Sequence, residues 1–351
     1  MLSMGVDYHK KFSQVAVVNE RGKPLFNRRL PNEKPVFKRF LEELDQPCQG
    51  VVEASRTWGV MYDMLDDLGV DMKLAHPLKV KAIAEAKIKN DKIDASTLAH
   101  LLRADLIPEV YVPSKEIRHQ KNILRQRAWL VKLRTMTKNR IHQIIDRNHV
   151  QTPGFKDMFG SGGRKFLDSL TLPHPDNDLL KDHLEILDFI TNYTKRTEKM
   201  IAKTVKNNRM VEILLSFPGM GKCFAPLIAL EIANINRFAT PAKLTAYSGL
   251  SPSIYSSADK TYYGKLIPGC NRWLRFAFIE GAWVSLRTSP YCRAYFNRMK
   301  KRRGSNVAIT ALARKLCEFA YHCLKEDRYY RERPYTYYQR TKKTLVALRS
   351  D

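Results

Sequence analysis

Residues 1–30 read MLSMGVDYHKKFSQVAVVNERGKPLFNRRL and contain three apolar runs separated by short polar connections. The runs MLSMGVDYHK, SQVAVVNE and PLFNRRL favour strands, and ERGK between the last two is typical of a turn. Short connections make consecutive strands neighbours in one sheet. This stretch therefore predicts a three-stranded meander at the start of the chain.

Alternating helix and strand patterns follow the meander. EKPVFKRFLEEL and TWGVMYDMLDDLG have apolar residues at helical spacing, whereas QGVVEAS and VDMKLA are typical of strands. HPLKVKAIAEA leads into a last helix within IKNDKIDASTLAHLLR (88–103), and EVYVP (109–113) is expected to close the sheet edge. The order βββαβαβα is that of a ribonuclease-H-like α/β fold.

Four carboxylates occupy informative positions in this fold. Asp7 ends the first predicted strand, Glu53 ends the fourth, and Asp91 and Asp94 lie one turn apart on the last helix. Taken singly, each has a plainer interpretation as a turn former, a helix cap or a solvated residue. Together they predict a cluster that a cation must neutralise, and oxygen ligands suit Mg²⁺ or Mn²⁺. Two such ions about 4 Å apart cleave phosphodiesters.

The composition indicates a polyanionic partner. The 351 residues include 61 Lys and Arg against 35 Asp and Glu, a formal charge of +26. Nucleic acid is the expected partner and an anionic membrane surface the second, but no apolar run is long enough to span a bilayer. No signal-peptide pattern opens the chain, and six scattered cysteines without metal-binding spacing predict reduced thiols in the cytoplasm.

The middle of the chain predicts a basic helical hairpin. From Ser114 to about Asn148 apolar residues recur at helical spacing, which corresponds to a helix of roughly 50 Å. Residues 176–207 predict a second helix that packs back antiparallel, with a loop-rich connection flexible at Gly160–Gly163. The first helix also presents a row of cations, for which phosphate contact is the favoured interpretation and a solvated face the alternative. The row comprises Arg118, Lys121, Arg125, Arg127, Lys132, Arg134, Lys138, Arg140 and Arg147.

The last third predicts a mostly α domain. FPGMGK (217–222) is similar to the turn of a helix-hairpin-helix element, whose backbone N–H groups hold a phosphate oxygen, although a plain helical turn fits nearly as well. A serine-containing loop follows, where the residues alone favour turn hydrogen bonding over nucleophilic chemistry. Candidate nucleic-acid contacts in this domain are Gly219, Gly221, Lys222, Lys260, Lys265, Arg272 and Arg275.

An ordered set of motifs resembles a known family. GVDYHK, VVEASRTWG, KNDKIDASTLAHLLR, RTMTKNRIHQII, FPGMGKCFAPLIALEI, LTAYSGLSPSIYSS and NRWLRFAFIEGAW occur in this order from about residue 3 to residue 325. The set resembles the DEDD-type insertion-sequence transposases, bridge-RNA-guided recombinases related to Piv-type DNA invertases. The resemblance implies a RuvC-like catalytic domain at 1–113, a coiled-coil arm at 114–209, a transposase domain at 210–330 and a basic tail at 331–351.

The resemblance also implies site residues and partners. Its acids map onto Asp7, Glu53, Asp91 and Asp94, and its serine nucleophile onto Ser257, with Ser256 as the alternative. Two departures are Ala258 where the family has glycine after the serine, and KNDK where it has Lys-Thr-Asp-Arg. Implied partners are target and donor DNA, a non-coding guide RNA and further copies of the chain in a homodimer or homotetramer. Acids of one subunit would meet the serine of another, in the nucleoid of a bacterial or archaeal cell.

The sequence thus favours a metal-dependent DNA recombinase with a serine nucleophile. Two alternatives stay open. One is a RuvC-like nuclease or junction resolvase that uses water, and it predicts cleavage without a protein–DNA adduct. The other is a non-catalytic RNA-binding protein that retains the fold, against which the four acids count because they repel phosphates.

Overall fold

The computed structural model describes residues 1–84, 90–257, 260–267 and 269–332, and at positions 254, 256, 257, 260, 261 and 263 only the backbone. The predicted basic tail, 331–351, lies outside the described residues from position 333 onward. The chain divides into two compact units, Met1–Pro113 and Ser114–Asp351. The first unit is a mixed α/β domain and the second is mostly helical.

A five-stranded sheet forms the centre of the first unit. Its strands are β1 (Leu2–Tyr8), β2 (Phe12–Val18), β3 (Pro24–Pro31), β4 (Cys48–Glu53) and β5 (Asp71–Ala75), in the order β3-β2-β1-β4-β5. The predicted meander is confirmed, since β2 pairs antiparallel with both β1 and β3. β1 pairs in parallel with β4, and β4 with β5. This arrangement is consistent with a ribonuclease-H-like fold.

Helices cover both faces of the sheet. They are α1 (Lys34–Glu42), α2 (Trp58–Asp66), α3 (Pro77–Ile83) and α4 (Asp91–Arg103). Phe37 and Phe40 of α1 pack with Met61 and Leu65 of α2 in the larger core. Apolar residues of α4 pack on the opposite face, where Ala95 and Ala99 meet Ala16 and Val18.

The segment EVYVP closes the sheet edge as expected, but only through a single bridge to β5. Glu109 forms a single antiparallel bridge with Ala75, supported by the N–H of Val110 donating to the carbonyl of Leu74 at 2.8 Å. Pro108 and Pro113 flank this segment, and proline has no N–H with which to extend a ladder.

The second unit opens with a helical hairpin. It consists of α5 (Lys115–Arg147) and α7 (Asp176–Thr204), joined through α6 (Ser161–Ser169). The helices run antiparallel, because Arg147 pairs with Asp176 while Arg127, nearer the start of α5, pairs with Glu198. Ile141, Ile144 and Ile145 pack with leucines of α7. That the two helices form a coiled coil stays a prediction.

The predicted loop at the glycine stretch is wrong from Ser161 onward, because these residues begin a helix, whereas its flexibility stays a prediction. Gly160 caps α6, and Gly162 and Gly163 lie in its first turn. A Cβ on Gly163 would come 2.2 Å from the carbonyl oxygen of Met158. The glycine is therefore explained by a close backbone approach.

The remaining elements are helices and a 3₁₀ turn that share one apolar core, and a two-stranded hairpin. They are α8 (Arg209–Leu215), α9 (Phe224–Ile232), a 3₁₀ turn (Ile235–Arg237), α10 (Pro241–Tyr247), β6 (Pro252–Ser257), β7 (Lys260–Leu266), α11 (Arg272–Thr288), α12 (Pro290–Arg303) and α13 (Ser305–Lys325). All six cysteines are free, and burial raises the pKa of Cys317 to about 12. Among the described residues, no helix is long and apolar enough to cross a membrane.

Candidate active site

The first strand and the fourth place two carboxylates at one edge of the sheet. The parallel register pairs Val6 with Val52, so Asp7 and Glu53 are the next residues along their strands. Each is only partly buried. Carboxyl ends of neighbouring parallel strands are a common location for binding chemistry, since side chains there face outward from a rigid frame.

The start of α4 contributes the other two acids. The side chain of Asn90 caps the helix by accepting a hydrogen bond from the N–H of Ile93 at 2.9 Å. This cap starts the helix at Asp91, so that both Asp91 and Asp94 lie in its first turn. The positive end of the helix dipole favours negative charge in that turn.

Close packing joins this turn to the first strand. A Cβ on Gly5 of β1 would come 2.1 Å from the carbonyl oxygen of Ala95 and 2.5 Å from the nitrogen of Ala99. Only glycine permits the helix to approach the strand so closely. The contact therefore holds Asp91 and Asp94 beside the end of β1, where Asp7 lies.

A histidine that sequence reasoning missed completes the tightest group. The His9 Nε2 atom lies 3.2 Å from Asp7 Oδ2 and 3.3 Å from Asp91 Oδ2. One potential ligand atom from each of these three residues lies within 4.8 Å of the others. The sequence feature that could have indicated His9 is the strand period of two, which turns residues 7 and 9 toward the same side.

Electrostatics distinguish Asp7 from the other acids. Burial raises the pKa of Asp7 above that of an ordinary aspartate, the carboxylates of Asp91 and Asp94 raise it further, and His9 acts in the opposite direction. Asp94 is therefore close enough to raise the pKa of Asp7. The structure brings Asp7 and Asp91 together with His9, and Glu53 and Asp94 are not members of this three-residue group.

The residues present fit a divalent cation. Two carboxylates and an imidazole meet at one point, and the carboxylate of Asp94 is close enough to act on Asp7. Like charges at such short range repel unless a proton, a cationic side chain or a metal compensates them. The oxygen donors suit Mg²⁺ or Mn²⁺, and an imidazole extends the range toward softer metals.

The predicted nucleophile lies on a hairpin rather than in a loop. Ser256 and Ser257 are the last residues of β6, and Ser257 pairs with Lys260 at the start of β7. The expectation of a serine-containing loop is therefore wrong for these two positions. Ala258, which follows, is outside the described residues, as are the side chains of Ser256, Ser257 and Lys260.

Some of the predicted cations on α5 already form ion pairs with acids. Lys121 is only 7% exposed and its Nζ lies 3.1 Å from Glu231, so the expectation that it faces solvent is wrong. Arg125 also approaches Glu231, at 3.5 Å, and Arg127 pairs with Glu198 at 2.8 Å. Any phosphate contact by these arginines has to compete with a carboxylate that is already present.

Other predicted contacts on the hairpin are more accessible. Arg140 is exposed and donates to the side chain of Gln143, and Arg134 is partly exposed. The Lys138 ammonium lies 4.5 Å from the centre of the Phe159 ring, a cation–π contact. No ion pair with an acid appears among the described residues for these three cations or for Lys132, which is exposed.

The two glycines of the turn at 217–222 have different surroundings. Gly219 has φ +81°, and a Cβ there would come 2.1 Å from the carbonyl oxygen of Gly281 in α11. Packing therefore explains Gly219 without a ligand. Gly221 and Lys222 are exposed, and a Cβ on Gly221 would meet nothing within 4 Å among the described residues.

The last predicted contacts lie on β7 and at the start of α11. Lys265 and Arg272 are exposed. Arg275 is partly buried and donates to the carbonyl of Ile267 at 2.6 Å. A Cβ on Gly249 would come 2.2 Å from the Arg275 guanidinium, so the absence of a side chain at Gly249 gives Arg275 its space.

Two family models match this chain. A transposase model of the DEDD type, associated with IS110 elements, matches residues 4–150. A second model, described as the transposase IS116/IS110/IS902 family, matches residues 211–297. The first match spans the acidic region and the second spans the glycine turn and the serine hairpin.

Similar proteins extend over nearly the full length. A probable family 20 transposase of Pseudomonas aeruginosa is 25% identical, over 93% of this chain and 98% of the relative. The transposase for insertion sequence element IS1111A of Coxiella burnetii is 26% identical, over 93% of this chain and 91% of the relative. A protein of insertion element IS110 from Streptomyces coelicolor is 22% identical, over 94% of this chain and 95% of the relative.

Proposed function

Since this chain is a transposase of the IS110/IS116/IS902 family, we propose that it moves its element by RNA-guided cutting and rejoining of DNA strands with a divalent metal and a serine nucleophile. The observation that carries the proposal is the contact of Asp7 and Asp91 with His9 at the end of the first strand. Clustered acids serve little purpose in a protein that must bind phosphates, unless a cation joins them.

The acids have distinct roles in this proposal. Asp7 and Asp91 hold the cation, and Glu53 and Asp94 complete its surroundings from the neighbouring strand end and from the same helical turn. When bound, Mg²⁺ or Mn²⁺ supplies Lewis-acid stabilisation of the negative charge on the reacting phosphate. Asn90 and Gly5 maintain the geometry through the helix cap and the close strand–helix contact.

Ser257 is the proposed attacking group, with Ser256 as the alternative. Its Oγ forms a bond to the phosphorus, the bond from phosphorus to one DNA oxygen breaks, and the serine proton ends on the released DNA hydroxyl. The phosphoserine ester retains the energy of the broken bond, so a DNA hydroxyl can reverse the step and join new strands. Water is not consumed in this cycle.

Basic side chains of the second unit would hold the nucleic acids. Arg134, Lys138 and Arg140 of α5 are proposed to contact phosphates, together with Lys222, Lys265 and Arg272 of the C-terminal region. Arg125, Arg127, Lys260 and Arg275 belong to the same proposed set, and Gly219 and Gly221 shape the turn beside Lys222. Sequence choice would come from base pairing of a guide RNA with target and donor DNA.

The chain is proposed to act as a homodimer or homotetramer. Acids from one copy and the serine from another would then form a working site, as the family resemblance implies. A mixture of Asp7→Ala and Ser257→Ala proteins tests this arrangement, because active sites built from two copies regain some strand exchange in the mixture. No recovery at any mixing ratio would contradict sites shared between copies.

The decisive experiment is a search for DNA attached to protein. Wild-type protein, the RNA that flanks its element, a DNA substrate and Mg²⁺ are incubated and then denatured. The adduct should form with wild type and be absent with Ser257→Ala and with Asp7→Ala. Ser253→Ala is the matched control, because Ser253 lies on the same strand and donates to the carbonyl of Lys265 at 3.0 Å.

The outcomes separate the alternatives. An adduct retained in Ser257→Ala but lost in Ser256→Ala moves the nucleophile by one residue. Cleavage without any adduct supports a water-using nuclease and contradicts the serine mechanism. Strand exchange that survives Asp7→Ala contradicts the acidic site.

A further inference from the structure

His9 lies between two acids from different elements. Asp7 comes from the end of β1 and Asp91 from the first turn of α4, and the Nε2 atom of His9 approaches one oxygen of each. The His9 side chain is 40% exposed, Asp7 26% and Asp91 48%, so the group opens toward solvent. A ligand from outside can therefore reach all three residues.

The backbone and the ring of His9 are held by contacts that do not involve the acids. The backbone N–H of His9 donates to the carbonyl of Phe12 at 3.0 Å, and its backbone carbonyl accepts from Asn32 Nδ2 at 2.7 Å. Asn32 accepts in turn from Ser13 Oγ at 2.7 Å. The imidazole also packs against the Phe12 ring, with 4.9 Å between centroids, and the Arg29 guanidinium lies over that ring. The chain thus builds a rigid support for one imidazole at this point.

The distances match those between neighbouring ligands of one cation. Donors about 2.1 Å from an octahedral metal and at right angles to each other are roughly 3 Å apart. The measured separations from His9 Nε2 to the two carboxylate oxygens are 3.2 and 3.3 Å. Small movements of these side chains suffice to bring all three donors onto one ion.

We propose that His9 Nε2 is a direct metal ligand, together with Asp7 and Asp91. This inference rests on the proposed function, in which the acids hold a divalent cation. It deepens that function because an imidazole in the ligand set changes which metal is preferred. Mg²⁺ takes oxygen ligands, whereas imidazole favours later divalent metals, so the site should prefer Mn²⁺ to Mg²⁺ more strongly than an all-carboxylate site does.

The experiment is pulsed electron paramagnetic resonance with Mn²⁺ alone as the probe. The full chain is prepared without a polyhistidine tag, and the electron-spin-echo envelope is examined for modulation by a coordinated ¹⁴N nucleus. Wild type should show this modulation, and protein labelled with ¹⁵N-histidine should lose the ¹⁴N pattern without any substitution. His9→Gln should lose it as well, while its circular dichroism spectrum remains that of wild type.

A matched control lies in the second unit. His322 is also an exposed histidine beside a carboxylate, with 3.7 Å between its ring and Glu326. His322→Gln should leave the nitrogen modulation unchanged. Loss of His9 should weaken Mn²⁺ binding by at least about tenfold, the loss that even an outer-shell partner causes, and should weaken Mg²⁺ binding less.

The results distinguish this inference from the proposed function. Mn²⁺ that binds wild type but not Asp7→Asn, with no nitrogen modulation, would overturn the role of His9 and leave the acidic site in place. Mn²⁺ binding that is equal in wild type and Asp7→Asn would overturn the acidic site itself. Modulation that persists in His9→Gln would assign the ligand to another histidine.

Discussion

Gly5 of β1 and Ala95 of α4 approach so closely that a Cβ on Gly5 would lie 2.1 Å from the Ala95 carbonyl oxygen. This contact determines how near the acids of α4 come to Asp7. Gly5→Ala should therefore displace the helix and destabilise the protein by about 2–4 kcal/mol, as overpacking against backbone does. Denaturant unfolding measures the change.

The control for Gly5→Ala is Gly162→Ala. A Cβ at Gly162 would lie 3.7 Å from its nearest neighbour, and this glycine is in the first turn of α6. Alanine favours helix over glycine by up to about 1 kcal/mol, so this variant should be neutral or more stable. A Gly5→Ala protein as stable as wild type would show that the strand and helix do not need their close contact.

Asp7→Asn should stabilise the metal-free protein at pH 7. Burial and the neighbouring carboxylates raise the pKa of Asp7, so the folded protein binds its proton more tightly than the unfolded chain does. The stabilisation that this provides is present below pH 3.8 and is lost as the pH rises through the raised pKa. We expect a gain of about 1 kcal/mol, seen as a midpoint roughly 2–4 °C higher.

Wild type and Asp7→Asn can also be compared at different pH values and with added metal. The two thermal midpoints should converge as the pH falls below 3.8, because Asp7 then becomes protonated in both the folded and the unfolded state. Added Mn²⁺ should reverse their order, because binding stabilises only the protein that retains the site. Asp71→Asn, an exposed position on β5, should change the midpoint little. A destabilised Asp7→Asn in metal-free buffer would contradict the electrostatic account.

Glu231 should be more important for stability than its partner Lys121. Glu231 is 2% exposed, meets Lys121 at 3.1 Å and accepts from Asn271 Nδ2 at 2.9 Å. Glu231→Leu leaves the buried Lys121 ammonium without its acid and should cost about 3–5 kcal/mol. Lys121→Met leaves Glu231 with Asn271 and Arg125, and should cost less. Equal losses in denaturant unfolding would contradict this ranking.

Phosphate contact by α5 predicts a change in salt dependence. Arg140→Gln should lower the slope of log affinity against log salt by about one, uniformly across DNA sequences. Lys38→Gln is the control, since Lys38 is exposed on α1 and lies 3.9 Å from Glu42. Equal slopes for wild type and Arg140→Gln, measured by fluorescence anisotropy, would remove Arg140 from the proposed interface.

Local sequence patterns predicted most of the first unit. The meander, the strands that carry Asp7 and Glu53 close to their ends and the helix that begins with Asp91 and Asp94 follow from alternation, turn residues and helical spacing. These features depend on neighbours within a few residues, so a single sequence contains them. The same reasoning predicted the long α5 from its uninterrupted helical spacing.

Contacts between distant residues depend on tertiary packing. Helical spacing places Lys121 in a row of cations, but only packing of α9 against α5 brings Glu231 to it and buries both. The strand period of two places Asp7 and His9 on the same side of the strand. The contact of His9 with Asp91, however, depends on how closely α4 approaches β1 at Gly5. The acids that are available, and the elements that carry them, follow from the amino-acid sequence alone. That His9 lies between two of these acids follows from the packing of α4 on β1, because interatomic distances across elements arise only when the core is packed.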